Sequence, residues 1–338
     1  MKIVIIGAGL IGCERIEAVQ YVSNLTNGDI FIAGVYDTNP NTLLKVSKKY
    51  NVPTVNNIND AMKLNPDWIF IATTNDAVID IAKLAFQAGA NVLTEKPLGR
   101  SLLECEKIIG FKPENLILHV GFNYRFFTGI ERALNDVKNK KFGKLISVNL
   151  VLGHGNSPGM EKSWHLDPIK RGSVVADLGV HLFDLILQLS SGNVNINYAK
   201  FWSGFWNTGI NEEAHMLLSD GLGTIFNAQV SFNRWRSSFL LEINGTEGYG
   251  IVNGRGRSYG PQSYKTGIRW GWKENKTQAE SETTIVDKDI CVDSFIKETI
   301  SILGLSKQLN IKSTSLPCTH DEARNVMLLL EQYNNIIK

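Results

Sequence analysis

Through the first 120 residues, short β-branched apolar runs alternate with stretches whose apolar positions recur at helical spacing. That alternation predicts parallel strands joined by crossover helices. Strands are expected at 2–6, 30–36, 68–72, 91–94 and 116–120, with helices at 10–22, 40–50, 77–88 and 102–109. Gly, Asn or Pro punctuates nearly every boundary, and Asp37-Thr38-Asn39-Pro40 opens the second helix with a proline near its first turn. Past Gly121 the pattern changes. Alternating runs at 145–152, 224–232 and 239–244 follow one another without helices between them, which predicts an antiparallel sheet. Helical periodicity returns at 173–189, 291–303 and 321–336. The expected architecture is an α/β, doubly wound Rossmann domain over 1–121, then an α+β domain over 122–338 with a mainly antiparallel open sheet. No repeat, low-complexity tract or linker separates the two, so the junction near residue 121 is expected to be packed and suited to a ligand cleft.

Composition narrows the partners. A chain of 338 residues exceeds what one hydrophobic core organises, in keeping with two domains. The formal charge is only +2 and Lys and Arg are dispersed, so neither nucleic acid nor an anionic membrane is an expected partner. Cys13, Cys105, Cys291 and Cys318 lie far apart with no zinc-like spacing, which predicts free thiols and no metal. The apolar run that begins the chain breaks at Gly7, too short for a signal sequence or a membrane span, and a cytoplasmic location is expected.

Gly7-Ala8-Gly9-Leu10-Ile11-Gly12 fits G-x-G-x-x-G between a strand and an amphipathic helix. There Gly7 permits the tight turn, Gly9 lets a pyrophosphate approach, Gly12 lets helix and strand pack closely, and the first helical amides at Leu10 and Ile11 face the anion. Asp37 ends the second strand, where a carboxylate accepts hydrogen bonds from ribose hydroxyls and repels a 2′-phosphate. NAD is therefore preferred over NADP as cofactor, although an exposed Asp in a strand-end turn has the same local sequence.

Glu95-Lys96-Pro97 follows the fourth strand, at the carboxyl edge of the sheet. With the glycine fingerprint, Gly121-Phe122-Asn123-Tyr124-Arg125-Phe126 and Asp177-Leu178-Gly179-Val180-His181, it makes the chain resemble the glucose-fructose oxidoreductase, inositol dehydrogenase and rhizopine-catabolism family, Gfo/Idh/MocA. The likeness runs over nearly the whole chain. It implies reversible hydride transfer at a carbinol carbon of a sugar or cyclitol, a cis peptide at Lys96-Pro97, and Lys96 as a catalytic residue on the reacting hydroxyl. By position alone Lys96 equally fits an exposed turn. Asp177 and His181, four apart, share one face of a helix. A histidine has the pKa of a general base, though one in an apolar helix is as often a core residue. The resemblance favours His181 as the base, with Asp177 orienting it or holding the substrate, and Asp184 as structural or exposed.

The resemblance also brings Thr73, Asn75, Glu95 and Lys96 to the cofactor, and Asn123 and Arg125 to the substrate. Two departures stand out. Thr73-Thr74-Asn75-Asp76-Ala77-Val78 lacks the proline and histidine common in the family, and the glycine cluster before Asp177 is reduced to Arg171-Gly172-Ser173. The loop through His154-Gly155-Asn156 to Trp164-His165 offers an aromatic platform and hydrogen-bonding groups to a polyol, or equally a contact with a second subunit. Gly254-Arg255-Gly256-Arg257-Ser258-Tyr259-Gly260 offers guanidinium forks for a carboxylate or phosphate, or is a solvated hairpin. The expected partner is a sugar, sugar acid, nucleotide-sugar or cyclitol, and the resemblance implies a homodimer or homotetramer. A non-catalytic dinucleotide or sugar sensor, and a redox-neutral NAD-dependent glycosidase or epimerase, are the competing readings.

Overall fold

The computed structural model describes residues 1–156, 167, 172–269, 280–285, 290–311 and 313–338. The chain forms two compact units. The first comprises Met1–Asn123 and Val292–Met327, the second Tyr124–Cys291 and Leu328–Lys338. Residues 292–327, expected in the second domain, thus pack with the N-terminal one. The reason is hydrophobic: Phe295, Ile296, Ile300 and Leu303 are buried in one core with Ile3, Ile5, Val19 and Val35.

In the first unit, β1 (Lys2–Ile6), β2 (Phe31–Tyr36), β3 (Trp68–Ile71), β4 (Asn91–Glu95) and β5 (Leu118–Gly121) form a parallel sheet in the order β5-β4-β3-β1-β2. The short strand Cys318–Thr319 adds antiparallel to β5. Helices α1 (Leu10–Leu25), α2 (Pro40–Tyr50), α3 (Ile58–Lys63), α4 (Val78–Gln87) and α5 (Leu102–Phe111) fall between the strands, α3 not foreseen in the sequence. Local chemistry sets their starts. Asn39 accepts hydrogen bonds from the Asn41 and Thr42 amides with Pro40 at the first turn of α2, and Ser101 caps α5 by accepting from the Glu104 amide. The strand order reverses between β1 and β3, the crevice where sheets of this kind hold ligands.

The second unit carries an eight-stranded sheet, mostly antiparallel, in the order β13-β12-β11-β10-β6-β9-β8-β7. Its strands are β6 (Leu145–Gly155), β7 (Asn195–Trp202), β8 (Glu213–Ser219), β9 (Ile225–Ser231), β10 (Asn233–Gly245), β11 (Gly248–Asn253), β12 (Gln262–Ile268) and β13 (Glu280–Ile285). One pair, β6 with β9, is parallel. Alternation holds along the strands: Val148, Leu150 and Leu152 of β6 and Ala214, Met216 and Leu218 of β8 are buried while their neighbours are not. Helix α6 (Thr128–Lys138) lies in the same unit, as does α7 (Val180–Leu189). The 173–189 segment is not one uniform α-helix as expected, because Val175–Gly179 winds as a π-helical turn before α7 begins.

Candidate active site

The glycine loop follows β1 and opens α1, beside the end of β3. Gly7 has φ of +97°, and a Cβ there would lie 2.4 Å from the Ala72 carbonyl oxygen. A Cβ on Gly12 would lie 2.0 Å from the Gly7 carbonyl oxygen. Both glycines are therefore demanded by the chain's own packing. Gly9 is different: a Cβ there would meet no atom within 4 Å, and its φ of −71° suits any residue. Among the described residues nothing requires a glycine at 9. The open space above it lies at a helix N-terminus with no acidic residue in its first turn, so these residues fit the pyrophosphate of a dinucleotide. Leu10, first in α1, is 74% exposed, and Ile11 is half-buried behind it.

Asp37 ends β2 as expected, and its carboxylate is already engaged on one side. Oδ2 accepts from the Ala8 amide at 2.8 Å and Oδ1 from the Asn39 amide at 2.8 Å, which ties the strand end to the glycine loop. Each oxygen keeps a further lone pair for a ribose hydroxyl. Thr73 follows β3, its hydroxyl donating to the Thr74 carbonyl, and Asn75 starts a 3-10 turn, both half-buried.

Glu95, expected at the cofactor, belongs to a buried charge cluster. Arg15 of α1 donates from Nε to Glu95 at 2.8 Å and from Nη1 to Glu298 at 2.6 Å, its Nη2 lies 2.7 Å from the same Glu95 oxygen as an ion pair without hydrogen-bond geometry, and Phe295 is stacked 4.7 Å from the guanidinium carbon. Burial works against the Arg15 charge, but Glu298 and Glu95 more than offset it and hold its pKa above the ordinary arginine value. A Cβ on Gly121 would sit 2.5 Å from the Arg15 guanidinium and 3.0 Å from both Glu95 oxygens, which explains that glycine. Lys96, next along the chain, is half-buried, and the Lys96–Pro97 bond is cis, as the resemblance implied. Asn123 is buried in the same unit, its amide nitrogen donating to Ser294 Oγ at 2.9 Å.

In the second unit Asp177 lies within the π-helical turn and His181 in the first turn of α7. Gly179 between them is tightly bounded, since a Cβ would lie 2.7 Å from Val175 Cγ1. His181 is buried and stacks on Tyr124, ring centres 4.0 Å apart and planes within 16°. Tyr124 ties the neighbouring charges together. Burial pushes its hydroxyl pKa above the ordinary tyrosine value, Arg255 opposes the shift, and Tyr259 and Asp177 add to it. The imidazole of His181 and the guanidinium of Arg255 thus share the Tyr124 ring.

Arg125 departs from its expected role. It is 2% exposed, and Nε donates to both oxygens of the equally buried Asp184, at 2.9 and 3.1 Å. A guanidinium so enclosed and forked onto a carboxylate has its charge matched within the unit. Asp184 is structural, as expected. Trp164, His165 and Arg171 lie outside the described residues. Among the described residues no cluster of three or more His, Cys, Asp or Glu could hold a metal, and no helix is long and apolar enough to cross a membrane.

Comparison with known proteins bears on the same residues. Residues 1–122 match the family described as "Oxidoreductase family, NAD-binding Rossmann fold", and residues 130–250 match the "GFO/IDH/MocA C-terminal domain". Over 195 residues the chain is 26% identical to UDP-N-acetylglucosamine 3-dehydrogenase of Acidithiobacillus ferrooxidans, covering 56% of this chain and 54% of that protein. Over 205 residues it is 24% identical to myo-inositol 2-dehydrogenase of Thermotoga maritima, covering 59% and 58%. The chain thus spans little more than half the length of these curated relatives. Its fold superposes on levoglucosan dehydrogenase in complex with NADH and levoglucosan with a TM-score of 0.84 at 17% identity, covering 99% of this chain and 96% of that one.

Proposed function

The chain belongs to the GFO/IDH/MocA oxidoreductase family, and on that premise we propose that it is an NAD-dependent dehydrogenase acting on a hydroxyl-bearing carbon of a sugar, sugar acid, nucleotide-sugar or cyclitol. The observation that carries the cofactor reading is Gly9, a glycine that the fold does not need and that an approaching pyrophosphate does. Bound dinucleotide supplies the hydride acceptor. His181 takes the proton of the reacting hydroxyl as its carbon becomes a carbonyl, Lys96 hydrogen-bonds that oxygen, and Asp177 orients the base or a neighbouring hydroxyl. The Tyr124 ring against His181 supports the assignment by fixing the plane of the imidazole. Asp37 supports NAD over NADP, since a 2′-phosphate beside its carboxylate meets like charge.

His181→Ala and Lys96→Ala are expected to lower turnover by about 10² or more while dinucleotide binding persists. Wild-type turnover in both variants refutes the assignment. Steady growth of NADH absorbance with substrate marks a dehydrogenase. An absorbing intermediate that does not accumulate marks a redox-neutral glycosidase or epimerase, and saturable binding with neither marks a sensor.

Two finer expectations belong to the same reading. A homo-oligomer is supported by the exposed Tyr198, Trp202, Phe205 and Trp235 of the second unit, and light scattering tests it. A reducing, cytoplasmic setting is supported by four free cysteines, three of them buried.

A further inference from the structure

The loop between β11 and β12 presents one arginine in a way that neither the fold nor the reaction above explains. Arg255 stands between Gly254 at φ +73° and Gly256 at φ +83°. A Cβ on the first would lie 2.2 Å from the Pro261 carbonyl oxygen, and one on the second 2.4 Å from Ile290 Cγ2. The backbone around Arg255 is tethered as well: Gly254 N–H donates to the Phe239 carbonyl, Gly256 N–H to the Gly260 carbonyl at 2.7 Å, and Cys291 Sγ to the Arg255 carbonyl. The loop is therefore a fixed mount and not the solvated hairpin that its composition also allowed.

From that mount the guanidinium lies among aromatic rings. Its carbon is 3.9 Å from the centre of Tyr259, 5.0 Å from Tyr124 and 5.8 Å from Phe127. Among the described residues no carboxylate pairs with it. Burial opposes its charge, but Tyr124 and Tyr259 outweigh that and hold its pKa above the ordinary arginine value, so it stays a cation. The rings return part of the lost solvation, and hydrogen bonds must supply the rest. Arg255 Nε and Tyr259 Oη are both buried and neither has a hydrogen bond of good geometry, although the two side chains are close enough to interact with each other. A cation and two donors from adjacent side chains, held by a rigid loop, are what an oxyanion needs.

We propose that Arg255 and Tyr259 form an oxyanion subsite that takes a carboxylate or phosphate carried by the substrate, one aromatic ring away from His181. Tyr124 links the two, with the imidazole 4.0 Å from one ring centre and the guanidinium carbon 5.0 Å from the same centre. The inference rests on the dehydrogenase reading and narrows it from polyols in general to acidic ones. A guanidinium edge offers two parallel donors to two oxygens of one group, a geometry that a neutral hydroxyl does not match.

The test compares matched substrates: a neutral hexose, the hexuronate of the same configuration, the corresponding hexose phosphate and the nucleotide-diphosphate sugar. Wild-type enzyme is expected to favour one of the anionic forms over the neutral one by about 10² in kcat/KM, chiefly through KM. Preference for the hexuronate identifies a carboxylate, and preference for a phosphorylated form identifies a phosphate. Arg255→Gln collapses that ratio, Arg255→Lys restores only part of it because the fork is gone, and Tyr259→Phe lowers it by about tenfold. Where Arg255→Gln fails to fold, Tyr259→Phe carries the test. A wild-type preference for the neutral sugar, or a ratio unchanged in both Arg255→Gln and Tyr259→Phe, overturns the subsite and leaves the dehydrogenase standing. If no substrate yields NADH, calorimetric titration of the NAD-loaded protein with hexuronate and with hexose phosphate decides the subsite separately. Binding that Tyr259→Phe weakens supports it, and no binding of either overturns it.

Discussion

Removing the Arg15 guanidinium is expected to be among the most damaging single changes in the first unit. Arg15 and Glu298 have side chains 1% and 0% exposed, and Glu95 is 13% exposed, so Arg15→Met takes away the cation that the two carboxylates share. Breaking a buried ion pair from one side costs about 3–5 kcal/mol, because the remaining charge loses its partner without regaining water. Methionine keeps most of the stem volume, so little of that loss comes from packing. For a domain of this size each kcal/mol moves the midpoint by about 2–4 °C, which places the variant roughly 6–20 °C below wild type in scanning calorimetry. The double variant Arg15→Met/Glu298→Met separates the cause from general damage. It removes the carboxylate that is fully enclosed and leaves Glu95, which reaches solvent, so it should recover at least about half of the loss. An Arg15→Met variant within about 1 kcal/mol of wild type, or a double variant less stable than the single one, refutes the electrostatic account.

The fingerprint glycines should separate by what each substitution meets. Gly9→Ala is expected to fold with stability within about 0.5 kcal/mol of wild type and to bind NAD about tenfold more weakly or worse, while Gly12→Ala, its Cβ 2.0 Å from the Gly7 oxygen, should lose about 1–3 kcal/mol of stability in urea titration. Asp37→Ser should shift the NAD to NADP affinity ratio toward NADP by about tenfold in calorimetry at fixed ionic strength, and equal wild-type constants for the two dinucleotides remove the argument from Asp37. In the second unit burial pushes the Asp220 carboxyl up, but the Ser191, Leu222 and Thr224 amides at 2.9–3.0 Å outweigh it and hold it below the ordinary aspartate value. A pKa lowered by folding contributes stability above the unfolded value of about 3.9 and loses it as pH falls through the folded one. Asp220→Asn should therefore cost about 1–3 kcal/mol near neutral pH, with the gap closing below about pH 4; a gap independent of pH defeats the reasoning.

The first unit was legible because its strands are continuous apolar runs and its helices carry caps that announce themselves, as at Asn39-Pro40 and Ser101. The second was legible where one face is buried, as along β6 and β9, and obscure where buried positions are polar. Gln262 in β12 is fully buried yet hydrogen-bonded to Gly129 N–H and the Gly254 carbonyl, so a binary reading of that strand misses it. The π-helical turn at Asp177 escaped because i→i+5 bonding has no periodic trace over five residues, and only Gly179 hints at a crowded site. Arg15 was missed because its partners lie 80 and 283 positions away. A signal did exist, since Arg15 falls on the buried face of α1 with Val19 and Val22, where a charge without partners would be untenable.

Arg125 and Arg255 make the wider point about reading a site from residue type. Both carry a guanidinium into the second unit, and the motif around Arg125 made it the more prominent candidate for a substrate. The structure separates them by what each already holds. Arg125 donates to both oxygens of Asp184 and has its charge matched inside the protein, so adding a ligand would mean dismantling an ion pair. Arg255 has aromatic faces and an unsatisfied Nε, so adding an anion would complete its solvation. The same test divides the glycines, with Gly7 and Gly12 explained by neighbouring protein atoms and Gly9 left for something outside the chain. Substitutions at Arg125 should therefore register in stability before they register in substrate preference, and those at Arg255 in the reverse order.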